Sequence, residues 1–304
     1  MLDRILFVFG VITVLYGVRT ANIMVFLGML RASEVIGTFA YWIINRTMKL
    51  SVNILIIILG LSLEACGQST LQLEHPLEWP AVPNDAQAYV HTGYATLYNR
   101  QTLIPDWVAY ELTADEVNPP EKLRGNESFR WDPETRGKNT AYREDYKNDD
   151  GWQRGHMAPK ADMRWSQQAY EESFYLSNIC PQNGTMNSGD WATTESLARR
   201  MATRYGSVYI VCGPIIGTNR YGTLGEHKVV IPDSFFKAFL IKTNGKYQSI
   251  AMVLPNESTH HQPEEYWCTV NELESLTGLD LFPGLDDSIE ETVENTIDKS
   301  IWSK

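Results

Sequence analysis

Two apolar runs, residues 235–241 (FFKAFLI) and 247–254 (YQSIAMVL), are joined by Thr243-Asn244-Gly245-Lys246. An Asn-Gly turn between strand-type runs is a strong short-range hairpin signal, and it commits this part of the chain to antiparallel strands. Alternating apolar and polar positions, with aromatic and β-branched residues enriched, predict further strands at 94–99, 107–113, 174–179, 208–212 and 228–231. Residues 100–106 read as a second hairpin turn. Residues 187–205 carry Trp191, Leu197, Ala198 and Met201 at near-helical spacing and stop before Gly206, which predicts a helix. Shorter helices are expected at 166–173, at 272–277 and after Asp286, and a turn is expected around Gly155. Residues 114–150 form a long polar segment of the kind that is usually functional or mobile. The reading is one α+β domain from residue 85 to 304, built on a largely antiparallel sheet flanked by helices.

Charge constrains function more than composition does. The 304 residues carry a formal charge of −11. Residues 1–66 hold 5 basic and 3 acidic residues, which leaves 21 against 34, or −13, for the rest. Affinity for a polyanion therefore has to come from a local basic cleft and a cation, not from a global field. The four cysteines, Cys66, Cys180, Cys212 and Cys268, show no CxxC or Cys/His spacing of the zinc-binding kind. Cys212, inside the apolar run VYIVCGP, is expected to be a buried free thiol.

Residues 1–47 are apolar but interrupted by Arg19 and Arg31, and the longest clean run, residues 5–18, is 14 residues long, short of the ~20 needed to span a bilayer. Met48-Lys49 then opens MKLSVNILIIILGLSLEACGQST. This segment resembles a bacterial lipoprotein signal, in which Cys66 is lipidated and becomes the mature N-terminus. The reading takes 1–47 as an apolar leader upstream of the true start, 48–66 as the signal and 67–84 as a linker. It places the protein outside the cytoplasm, anchored in the bacterial cell envelope through the lipid on Cys66 or else secreted.

The window 152–200 carries the chemistry: GWQRGHMAPKADM, then FYLSNICPQNGTMNSGDWATTE. The series Gln153-Arg154-Gly155-His156, Asn187-Ser188-Gly189-Asp190-Trp191 and Glu195 resembles the signature of the DNA/RNA non-specific endonucleases of the ββα-metal type. DWVAYELT, FRWDPE, VCGPIIG and VVIPDSFFKAF fit the same family, so the resemblance covers roughly residues 90–280. Two positions depart from it: Gln153 stands where the family has Asp, and Ser188 where it has Gln. The resemblance implies a ββα-metal nuclease fold and a metal-dependent, sequence-nonspecific endonuclease. It further implies DNA and RNA as substrates, 5′-phosphate products, a frequent homodimer and a possible inhibitor protein.

Residue types support the same roles. His156, with an ordinary pKa near ~6.5, suits a general base taking a proton from water. Gly155 beside it is expected to let the backbone turn. Asn187 offers a neutral oxygen to Mg²⁺, or to Mn²⁺ or another divalent ion, since such sites keep several waters and take few protein ligands; alone it would pass for a plain helix cap. Glu195 lies about two turns further on and is better placed to reach the ion through water than directly. Arg154 can clamp phosphate oxygens, and Arg130 is chosen over Arg124 and Arg136 as a second phosphate contact. Trp191 reads as core. Arg199, Arg200 and Arg204 form a basic patch or simply complement the helix dipole. His227, His260 and His261 read as surface residues.

Three other classes compete: an exported, lipid-anchored nucleic-acid-binding protein, a phosphodiesterase for small or envelope phosphodiesters, and a structural envelope lipoprotein. Chelator dependence separates the enzymes from the last, and a steep salt dependence separates polymer from small-molecule substrates.

Overall fold

The computed structural model describes residues 76–83, 86–137, 139–147 and 151–303. Its centre is a seven-stranded sheet of β1 (Tyr89–Val90), β2 (Ala95–Asn99), β3 (Ile104–Thr113), β6 (Ser207–Ile215), β9 (Ser234–Thr243), β10 (Lys246–Pro255) and β11 (Trp267–Cys268). The strands lie side by side in that order, and every neighbouring pair is antiparallel. Thr243 pairs with Lys246, so Asn244 and Gly245 alone make the β9–β10 turn, with φ of 49° and 78°. Both positive φ values match the backbone twist of the flanking strands. A short pair, β7 (Thr223–Leu224) and β8 (Val229–Val230), stands apart, and it is all that forms of the strand expected at 228–231.

Both faces of the sheet are covered, which explains why β9 reads as a nearly unbroken apolar run. Phe235, Phe239 and Ile241 enter one core with Val108 and Tyr110. Phe236, Ala238 and Leu240 enter the other with Trp107 and Ala109. The second core is closed by α-helices Val270–Thr277 and Asp287–Glu294 through Val270, Leu273 and Val293.

The first core carries the functional motif. Strand β4 (Trp152–His156) pairs antiparallel with β5 (Ile179–Asn183), His156 opposite Ile179. Between them lies α1 (Gln167–Glu172), capped by Ser166. β5 runs directly into a helical turn, α2 (Gly184–Met186), then a π-helical turn, Asn187–Trp191, then α3 (Ala192–Tyr205). Leu197, Ala198, Met201 and Ala202 bury the inner face of α3 against β6 and β9. Gly206, at φ 95°, ends it.

Three local expectations change. Residues 152–156 form a strand, not a turn around Gly155. The strand expected at 174–179 begins only at Ile179: Leu176–Asn178 is a 3₁₀ turn. There the buried Asn178 side chain accepts from Ala158 N and donates to the carbonyls of Ala158 and Ser173, each at 2.8 Å. Those long-range bonds override the alternating pattern. Residues 76–83, read as part of a linker, lie on the domain, with Leu77, Trp79 and Val82 packed on the second core and Ala81 N–H bonded to Asp280 O at 2.8 Å. The leader, the signal segment, Cys66 and the rest of the linker lie outside the described residues.

The C-terminal end of β5 is held by one buried side chain. Asn256 Oδ1 accepts from Asn183 N–H at 2.7 Å, and its Nδ2 donates to the carbonyls of Pro181 (3.1 Å) and Pro232 (2.9 Å). Asn256→Ala leaves these backbone groups unpaired in the interior, so urea unfolding should show a loss of about 2–4 kcal/mol.

Candidate active site

His156 sits at the end of β4 with its ring packed between Phe129 and Phe174, at centroid distances of 5.3 and 5.2 Å. Its Nε2 is buried and has no hydrogen-bond partner among the described residues, which leaves Nδ1 as the nitrogen open to the surface. Burial, helped by the nearby Lys160 ammonium, pushes the imidazole down to about 4. The ring is therefore neutral at physiological pH and able to accept a proton. Gly155 is required for a reason that its position in a strand makes clear. A Cβ there would lie 1.7 Å from Oε1 of Gln182, a fully buried side chain that crosses over it from β5.

The π-turn is fastened to β4 at two points. The Trp191 indole donates to His156 O at 3.1 Å, and Asn187 Nδ2 donates to Gln153 Oε1 at 2.9 Å. Trp191 is core, fully buried, with the buried Lys237 ammonium 3.9 Å from its ring centroid. Asp190, also buried, accepts from Tyr266 Oη and His261 N–H and pairs with His260 Nδ1. His260 and His261 thus belong to a tie between the 256–266 segment and the π-turn, and His227 pairs with Asp145. None of these partners could be read from spacing.

One turn beyond Trp191, the half-buried Glu195 carboxylate accepts no hydrogen bond among the described residues. Burial pushes it up to about 7, against the pull of Lys237 and Arg199 and with a push from Asp162. Arg199 is held by Asp162 at 2.7 Å, and Asp162 also accepts from Tyr110 Oη at 2.9 Å. The i,i+4 spacing of Glu195 and Arg199 was a signal for this network that the sequence carried.

Arg154 lies with its guanidinium 4.7 Å from the Phe129 ring centroid and has no hydrogen-bond partner among the described residues. Arg130 is different. It donates to Glu171 O at 2.7 Å and Ser128 O at 3.2 Å and rests on the Tyr175 ring, so it ties its loop to the end of α1. Lys160, not singled out by spacing, joins Arg154 near His156, paired with Glu127 at 3.2 Å. Arg124 is exposed and Arg136 lies on Trp131. Cys180, Cys212 and Cys268 are free thiols, and Cys212 is buried as expected.

The donor set fits a hard divalent cation held lightly. Asn187 has its nitrogen committed to Gln153 and its oxygen unengaged among the described residues, and Glu195, eight residues further on, keeps a carboxylate with no hydrogen bond among the described residues. Among the described residues no three His, Cys, Asp or Glu side chains converge on one point, so further ligation would fall to water and substrate.

Comparison with known proteins places the family and the fold. A profile of the DNA/RNA non-specific endonuclease family matches residues 79–288. The chain is 34% identical over 214 residues to "Nuclease EXOG, mitochondrial" of Danio rerio, covering 66% of this chain and 62% of that protein. It is 29% identical over 221 residues to "Endonuclease G, mitochondrial" of Homo sapiens, covering 67% and 72%. The chain thus spans about three fifths of the length of the EXOG relative. Its fold is that of EndoG in the EndoG/EndoGI complex, at a TM-score of 0.64 and 24% identity over 74% of this chain and 96% of that one. These relatives overturn the expected localisation, a lipid-anchored protein of the bacterial cell envelope, because they are mitochondrial nucleases by name. The physical reason lies in the weakness of the signal: a short apolar stretch behind one basic residue is a general feature of leaders, and Glu64 beside Ala65-Cys66 departs from the small apolar residues of a lipoprotein signal.

His156 and Glu195 make opposite contributions to stability as pH changes. A buried histidine with a depressed value contributes stability that is present above ~6.5 and lost as pH falls toward about 4. A carboxylate with a raised value contributes stability that is present below ~4.5 and lost as pH rises through about 7. In metal-free urea titrations, Glu195→Gln should gain on the native protein between pH 5 and pH 8, and His156→Phe should lose on it over the same interval. Each trend should be on the order of 1–3 kcal/mol. Gly155→Ala should cost about 1–3 kcal/mol in the same assay, since Gln182 is too enclosed to yield.

Proposed function

This chain belongs to the DNA/RNA non-specific endonuclease family, and on that footing we propose that it is a divalent-metal-dependent endonuclease hydrolysing DNA and RNA phosphodiesters. The observation that carries the reading is the ββα unit itself. One strand end presents a neutral histidine, and the helix bonded to it presents an Asn187 oxygen and a Glu195 carboxylate that, among the described residues, have no hydrogen-bond partner.

His156 Nδ1 takes the proton of the attacking water as general base. Its depressed value keeps the imidazole free of a proton before substrate arrives, and the anionic phosphate then offsets the cost of charging a desolvated ring. Arg154, with no hydrogen-bond partner among the described residues, clamps a phosphoryl oxygen where charge develops. Asn187 would hold a divalent ion, Mg²⁺ being the first candidate and Mn²⁺ the next, and Glu195 would orient water around it. Bound there, the ion would supply charge neutralisation on the phosphoryl and leaving oxygens. Departure of the 3′ oxygen gives 5′-phosphate ends, as in the family.

The cationic groups lie close together although the chain as a whole is acidic. Arg154 and Lys160 flank His156, and Arg124 is near enough for its charge to reach Glu127 and Tyr170. Such a patch supports local contact with a phosphate backbone without a long-range positive field, so binding should weaken steeply with salt.

Cleavage of supercoiled plasmid and of RNA tests the reading. The native protein should degrade both with Mg²⁺ and neither with EDTA. His156→Ala should lower the rate by about 10²–10⁴-fold, with its unfolding temperature still measurable. A folded native protein that cleaves neither polymer with Mg²⁺ or Mn²⁺ would rule the proposal out.

A further inference from the structure

Gln153, one of the two positions singled out in the motif, accepts the one side-chain hydrogen bond that Asn187 makes among the described residues. An asparagine amide has two unlike ends. Its oxygen attracts a cation, whereas its NH₂ group carries partial positive charge and repels one. On a helical turn the amide can present either end, and only a contact that distinguishes them decides which. The acceptor Gln153 Oε1, 2.9 Å from Asn187 Nδ2, makes that distinction.

Gln153 is itself set by its surroundings. It stands on β4 directly opposite Gln182 of β5. Its Nε2 lies against Gly184, where an added Cβ would be only 2.8 Å away. The amide therefore lies across the start of α2, and its oxygen is left for Asn187. A Gln side chain is one methylene longer than Asp and carries no charge, so it reaches the π-turn without adding an anion beside the ion.

We propose that Gln153 is a positioning residue: it holds the Asn187 amide by its nitrogen and so keeps the Asn187 oxygen toward a divalent cation. This rests on the reading of Asn187 as the residue that holds the ion. Outer partners of this kind characteristically tune metal affinity by 10–100-fold when removed.

The test is direct Mn²⁺ binding to the full chain, followed by electron paramagnetic resonance of free Mn²⁺ in the absence of nucleic acid. Unfolding temperature in EDTA serves as the check on folding. Asn187→Ala should abolish binding. Gln153→Met, of similar length but without the acceptor, should weaken it about tenfold at an unchanged unfolding temperature. Gln153→Glu should bind at least as tightly as the native chain, because a carboxylate can only accept from Asn187 Nδ2. Loss of binding in Asn187→Ala with less than a threefold effect in Gln153→Met overturns the role of Gln153 and leaves the site itself standing. Gln153→Glu binding as weakly as Gln153→Met overturns the direction of the bond. Native binding by Asn187→Ala overturns both this inference and the reading beneath it. Should Met disturb β4, Gln153→Asn, too short to reach, must show the same weakening or the inference fails.

Discussion

The Trp191 indole bonded to the His156 carbonyl joins the two halves of the site. One half is a strand end, the other a helix start, and each is rigid for its own reason. β4 is held by its ladder to β5, and α3 by the apolar face it buries on β6 and β9. Without a link, the imidazole and the Asn187 amide would be placed by separate elements whose separation could vary. Trp191 is fully buried, so the bond forms where water does not compete for it. Its ring in turn covers Lys237, whose ammonium has no hydrogen-bond partner among the described residues and sits over the indole face.

Lys237 shows how the site lives with its own electrostatics. A buried amine is costly to leave uncompensated, and here Glu195 and Asp162 are the carboxylates whose charges interact with it. Asp162 is spoken for by Arg199 and Tyr110. Glu195 has no hydrogen-bond partner among the described residues, and burial leaves it near the edge of ionisation at neutral pH. A group so placed gains by meeting a cation, which is the condition that a lightly held divalent ion requires. The net charge of −11 loses its force as an objection for the same reason. What counts at a phosphate is the set of side chains within a few ångströms, and near His156 those are Arg154 and Lys160.

Much of this was legible in the linear text. Strands β2, β3, β6, β9 and β10, the Asn-Gly turn and the 187–205 helix follow from period-2 and near-3.6 spacing. His156, Asn187 and Glu195 stand out because residue types suited to the chemistry recur in a fixed order. What misled was local too. Gly155 suggests a turn, but its need is for close approach by Gln182. Residues 174–179 alternate like a strand, but Asn178 ties them into a 3₁₀ turn. Arg130 sits in a motif-like stretch, and two carbonyls of its own domain claim it.

The sequence alone determined the main strands of the large sheet, the Asn-Gly hairpin, the helix over 187–205 and the residue types of the site, because these depend on side-chain periodicity and turn chemistry between near neighbours. Only the tertiary structure decided which groups are free. Among the described residues Arg154 and Glu195 have no hydrogen-bond partner, Arg130 and Arg199 are taken, and Gln153 meets Asn187 across 34 residues of chain. Availability for a ligand is set by partners that approach from distant strands and by the burial they impose, and neither is written in the spacing of a single segment.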